Sequence, residues 1–73
     1  MSGLRFTKLI DSSIMANLFE AVLNKNKIQH DYEIIGDECE PVFEFTLDIK
    51  HFMRVEELIN EHKIDVCLFK TST

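Results

Sequence analysis

Three histidines, two cysteines, a serine pair and a short acidic run are the side chains here whose types could do chemistry. His51 and His62 share one helical pattern but stand eleven residues apart, about 16 Å along a helix axis, too far to chelate one ion. His30 falls on the apolar side of an alternating segment, where a hydrogen-bonded, half-buried imidazole is expected rather than a metal ligand. Cys39 and Cys67 lack the Cys-x-x-Cys or Cys/His spacing of a zinc site, and two cysteines are too few for a disulfide framework. Cys39 also stands between Glu38 and Glu40, a setting that works against a nucleophilic role. The run Asp37, Glu38, Glu40 has neither the alternating ligands nor the terminal glutamate of an EF-hand loop. Ser12 and Ser13 have no histidine close in sequence to activate them, and capping accounts for Ser12. With Gly3 and Gly36 the only glycines, no phosphate cradle can be assembled. The expectation is a non-enzymatic protein without cofactor or metal.

The elements that must carry these residues are announced by a repeat. Val22-Leu23-Asn24-Lys25-Asn26-Lys27-Ile28 returns 36 residues later as Leu58-Ile59-Asn60-Glu61-His62-Lys63-Ile64. The same offset superposes Ser12 on Asp48, two good helix N-caps. Between cap and repeat, Ala16, Phe19, Val22 and Leu23 fall in one arc of about 120°, the width of a core-facing stripe. Phe52, Val55, Leu58 and Ile59 are their counterparts, so helices are predicted from Ser12 to about Asn26 and from Asp48 to about His62. The asparagine at position 26 is the better of the two candidates, Asn26 and Lys27, for a left-handed helix exit.

Strands fill the rest. Leu4 to Ile10 is a short mixed strand, and Ile28 to Ile35 alternates, with Ile28, His30, Tyr32 and Ile34 inward against Gln29, Asp31 and Glu33. Gly36 and Pro41 bracket a hairpin loop, after which Val42 to Leu47 turns Phe43, Phe45 and Leu47 to the core. A last strand is predicted over Ile64 to Phe69. The order β-α-β-β-α-β is that of the ferredoxin-like α+β sandwich, with right-handed crossovers giving a four-stranded antiparallel sheet of order 4-1-3-2 under two helices. Residues 1–73 make one domain with an ordered core of about 4–70.

One face of such a sheet is uncovered. The alternation places Phe6 and Ile10 on it beside Cys67 and Phe69, an apolar patch suited to an interface, with Lys8 facing Glu44 across strands. A second apolar row, Ile14, Leu18 and Ala21, lies opposite the core stripe of the first helix, where the second helix has Lys50, Arg54 and Glu57. It is either a docking face or the flank of a helix rolled so that Leu18 meets its neighbour.

Charge narrows the partners. A net charge of -5 argues against nucleic acid and anionic membranes, which need clustered Lys and Arg. No run approaches the roughly 20 apolar residues of a membrane span, and no signal peptide opens the chain, so a cytoplasmic location is expected. Among proteins of this strand order, RNA-recognition modules need exposed aromatics on the central strands, where Glu44 faces outward here. A metal chaperone needs Cys-x-x-Cys at the first turn, which reads Asp11-Ser12-Ser13-Ile14. A small-molecule-sensing domain of ACT-like type would bind at that turn, through Asp11, Ser12 and Ser13, although the glycine usual there is lacking.

Ala16, the apolar pairs Leu18-Phe19 and Val22-Leu23, and Ile28 resemble the first helix and second-strand start of the small prokaryotic signal-transducing domain family. Phe45, Leu47, Val55, Leu58 and Ile59 extend the similarity over most of the chain. Met15, Lys27 and Val55 depart from the family's glutamate, glycine and alanine. The resemblance implies a ferredoxin-like regulatory or protein-interaction module, and it carries no site residues. The expectation is self-association, as a homodimer, through the open sheet face or a sheet edge, with sensing at the first turn as the alternative.

Overall fold

The computed structural model describes residues 3–67. Strand β1 (Arg5–Ile10), helix α1 (Ser13–Lys25), strand β2 (His30–Gly36), strand β3 (Pro41–Asp48) and helix α2 (Phe52–His62) follow in order, with one 3-10 turn (Ile49–His51) leading into α2. β3 is the centre of a three-stranded antiparallel sheet of order β1-β3-β2, and the fold is α+β. Of the expected fourth strand, the described residues show one antiparallel bridge, in which the Cys67 N–H donates to the Leu9 carbonyl at 2.7 Å. Leu68 and Phe69 lie outside the described residues.

Both halves of the repeat start with a side-chain cap. Ser12 Oγ accepts from the Met15 N–H at 3.3 Å, and Asp48 Oδ1 accepts from the Lys50 N–H at 2.9 Å. Asp48 reaches only two residues ahead, so its helix begins with a tighter turn than expected before α2 proper.

The exits match more closely still. Lys27 and Lys63, at equivalent positions, are the two described non-glycine residues with positive φ, at 57° and 54°. In each, the next residue bonds back across the turn, Ile28 N–H to the Leu23 carbonyl and Ile64 N–H to the Ile59 carbonyl, both 2.9 Å. This is the Schellman closure, with a buried apolar pair over it. Lys27 rather than Asn26 takes the left-handed position. Asn26 keeps φ at -95° and uses its amide otherwise, donating to the Val22 carbonyl at 2.8 Å while its oxygen accepts from Arg54 of α2 at 3.2 Å.

Gly36 ends β2 with φ of 92°, and a Cβ there would lie 2.8 Å from the Glu40 carbonyl oxygen, so the hairpin requires glycine.

The core lies between the helices and one sheet face. Phe19 of α1 meets Phe45 of β3 edge to face, 4.9 Å between ring centres, with Leu23, Leu47, Val55 and Leu58 around them. β1 contributes the opposite set from the one the sequence suggests. Its register sets Phe6 beside Leu47, Lys8 beside Phe45 and Ile10 beside Phe43, so these three face the helices. Ile10 is wholly buried and Phe6 packs at the core margin, its ring against Phe52 at 5.1 Å; neither is on the open face. The misleading residue is Lys8, which sits within the sheet–α2 layer, ion-paired to Glu56 and 5.6 Å over the Phe52 ring, and not beside Glu44. Phe52 itself is exposed rather than buried, since the first turn of α2 stands at the edge of that layer.

Candidate interaction surface

With β1 in this register, Arg5, Thr7 and Leu9 line the open face, next to Glu44, Thr46 and Asp48 of β3 and Asp31, Glu33 and Ile35 of β2. Carboxylates dominate it. Glu33 lies directly opposite Glu44, an arrangement that costs the hairpin some tenths of a kcal/mol up to about 1 kcal/mol. Arg5 reaches across β3 to Asp31 at 3.7 Å, both side chains well exposed. Beside this pair is a shallow depression of about 250 Å³ lined by Arg5, Gln29, His30, Asp31, Thr46 and Asp48. Its charges are mixed, and no cysteine or serine is among them.

His30 faces the helix side, as its alternation predicts. Its Nδ1 lies 3.0 Å from the Ile28 carbonyl, which can only accept, so that nitrogen carries a proton; Nε2 points to Glu20 of α1 at 3.8 Å. The imidazole is thus held at the start of β2 by the Ile28 carbonyl, with its Nε2 edge facing Glu20 of α1. Among the described residues no three of His, Cys, Asp and Glu gather where they could hold a metal ion.

The residues singled out from the sequence do not converge. Ile10 is core and Phe6 half-buried, Cys67 is half-buried beside Leu9 on the open side, and Phe69 is outside the described residues. Ile14 is 75% exposed on α1, while Leu18 is only 36% exposed, which fits a helix rolled toward its neighbour more than a flat docking face. At the first turn, the Ser12 oxygen is taken by its capping bond and Ser13 opens α1. Asp11 lies near Cys67. Burial pushes the Cys67 thiol above its ordinary value, and the Asp11 carboxylate, with a smaller contribution from Asp65, pushes the same way. The environment keeps this thiol protonated.

What the sequence did not single out is the outer side of β2. It pairs with β3 along one side, and among the described residues no strand pairs with the other. From Asp31 onward every residue of β2 is exposed, including Tyr32 at 48%, Ile34 at 57% and Ile35 at 38%. Tyr32 and Ile34 point to the helix side, yet only His30 is partly covered there, beside Glu20 of α1, and beyond it the strand runs out from under the helix. Tyr32 stacks on Phe45 at 5.3 Å, so the core continues outward through Tyr32 to the edge. A strand edge is usually blunted by charged side chains, lysine above all, by proline or by a bulge, and β2 has only the two carboxylates Asp31 and Glu33. His30-Asp31-Tyr32-Glu33-Ile34-Ile35-Gly36 has neither lysine nor proline, and its register with β3 is unbroken. The sequence signal was the Ile34-Ile35 pair, since in an alternating strand one of two adjacent isoleucines must face the open side.

No described helix is long and apolar enough to cross a membrane. Comparison with known protein families, curated proteins and solved structures finds no match for this chain.

Proposed function

We propose that this chain is a non-enzymatic protein-interaction module that works by accepting a strand at the outer edge of β2. The observation that carries the proposal is that edge itself: seven residues long, paired on one side only among the described residues, with Tyr32, Ile34 and Ile35 exposed, no lysine or proline, and its two carboxylates confined to the open face. The arrangement is that of a surface recognised by main-chain hydrogen bonding, with side chains on the two faces supplying selectivity. The single antiparallel bridge from Leu9 to Cys67 supports extending the fold on the opposite side, with the segment that reaches Cys67 as a fourth strand beside β1. The sheet order would then be 4-1-3-2, the ferredoxin-like arrangement, and β2 would remain the free edge. That fold and a regulatory role are also what the resemblance to the prokaryotic signal-transducing domains implies. Self-association through β2 is one form of this function, and a different protein is the other.

A photo-crosslinking amino acid placed at Ile34, compared with one at exposed Glu61 on α2, tests the proposal in the cells that make the protein. Adducts formed from position 34 and not from 61 support it, and a mass of twice the chain identifies a second copy. Equal labelling at both positions, or none at 34, overturns it.

A further inference from the structure

We infer that the partner at the β2 edge is an extended segment in which Lys or Arg alternates with apolar residues. This deepens the proposal above and rests on β2 being the docking edge. A strand added there continues the pleat, so its side chains fall alternately beside two rows. On the helix side the row is Tyr32 and Ile34, backed by Phe43 and Phe45, which favours apolar neighbours. On the open side the row is Asp31, Glu33 and Ile35. Glu33 faces Glu44 at its back, and among the described residues neither has an ion-pair partner. Arg5 is the one cation of the open face among the described strand residues, and it is already at Asp31. A basic side chain on the incoming strand therefore meets the adjacent like charges of Glu33 and Glu44, which no described residue pairs.

A second copy of β2 fits this edge poorly. A two-fold axis that joins the edges antiparallel sets open-side residues against open-side residues. Centred on Tyr32, it places Asp31 opposite Glu33 twice; centred on Glu33, it places Glu33 opposite itself. Only a centre at Ile34 sets Glu33 against Ile35, and there each copy still brings its net charge of -5. The acidic row thus acts against self-pairing and in favour of a basic strand.

Two synthetic peptides test this, acetyl-Lys-Val-Lys-Val-Lys-Val-Lys-amide and its counterpart with Glu at every Lys position, titrated into the isotopically labelled full chain. The expected result is that the lysine peptide shifts the amide signals of residues 30–36 and binds at least about tenfold more tightly than the glutamate peptide at low salt. Glu33→Lys, an exposed substitution that leaves the core intact, should abolish that preference. Equal affinity for the two peptides, shifts centred elsewhere, or a preference unaffected by Glu33→Lys would overturn the inference. If crosslinking at Ile34 succeeds while the lysine peptide leaves β2 undisturbed, the edge stands as a docking site and the basic partner is excluded. Loss of both removes the edge as well.

Discussion

Lys27 and Lys63 each hold a conformation that a side chain with a Cβ resists, and they do so at the same place in the two halves of the repeat. A left-handed residue costs roughly 1–2 kcal/mol with a Cβ present, while glycine loses roughly 0.4–1 kcal/mol more chain entropy on folding. The difference favours glycine. Lys27→Gly and Lys63→Gly are each expected to raise stability by about 0.5–1 kcal/mol, read as a higher urea midpoint at unchanged slope. The double variant should show nearly the sum, since the two turns close different helices. No gain at either site would mean that the lysine stems pack usefully where they stand. Cys67 makes the other residue-scale prediction. Its thiol is raised by burial first and by Asp11 next, so the folded chain keeps the proton to higher pH than the unfolded chain does. The contribution to stability is complete below the thiol's ordinary value of about 8.5 and is lost as pH rises past it toward the folded value. Urea midpoints should therefore fall less between about pH 8 and pH 10 in Cys67→Ala than in the parent chain. At about pH 8 an alkylating reagent should label exposed Cys39 well before Cys67.

At the scale of elements, the half-buried Lys8–Glu56 pair joins β1 to α2, with side chains 19% and 39% exposed. Partial exposure screens the pair, which limits its net worth; the larger effect is what remains when one partner is removed. Glu56→Ala should cost about 1–2 kcal/mol, because Lys8 then faces Phe52 and the core margin alone. Lys8→Met combined with Glu56→Leu should return close to the parent stability, and a double-mutant cycle in urea reads both. The same lysine explains what was hard to read in the sequence. Helices, their caps and the hairpin were legible because each rests on a pattern of several agreeing residues: the two stripes, Ser12 and Asp48, and Gly36 before Pro41. β1 offered Arg5-Phe6-Thr7-Lys8-Leu9-Ile10, in which the more apolar parity, Phe6 and Ile10, carries Lys8 with it, and the partner that accommodates that lysine is a carboxylate 48 positions away. Tyr32 and Ile34 followed their predicted face but not their predicted burial, since alternation reports the direction of a side chain and not how far a helix extends above it. The candidate edge was illegible for that reason. Exposure of an edge strand is a property of the assembled sheet.

For the whole molecule the limiting quantity is the size of the core. Among the described residues twelve apolar side chains are buried, and Phe45 is a point at which elements meet: Phe19 of α1 packs edge to face on it, Tyr32 of β2 stacks against it, and Leu47 and Lys8 flank it in the sheet. In a chain of this length a single core rarely supplies more than about 3–5 kcal/mol of stability. Removing a buried phenylalanine side chain costs about 3–5 kcal/mol. Phe45→Ala is therefore expected to leave the chain largely unfolded near 37 °C, and circular dichroism with a thermal melt would show a lost or much lowered transition. Phe45→Leu keeps most of the volume and should lower the melting temperature without abolishing it. Ile34→Ala, at a residue 57% exposed, should change stability by no more than about 0.5 kcal/mol while removing half of the apolar row that faces an incoming strand. The contrast between positions 45 and 34 separates the two demands on this sheet. Were Ile34→Ala to destabilise the isolated chain as much as Phe45→Leu, the β2 edge would be part of the core rather than a surface held ready for another strand.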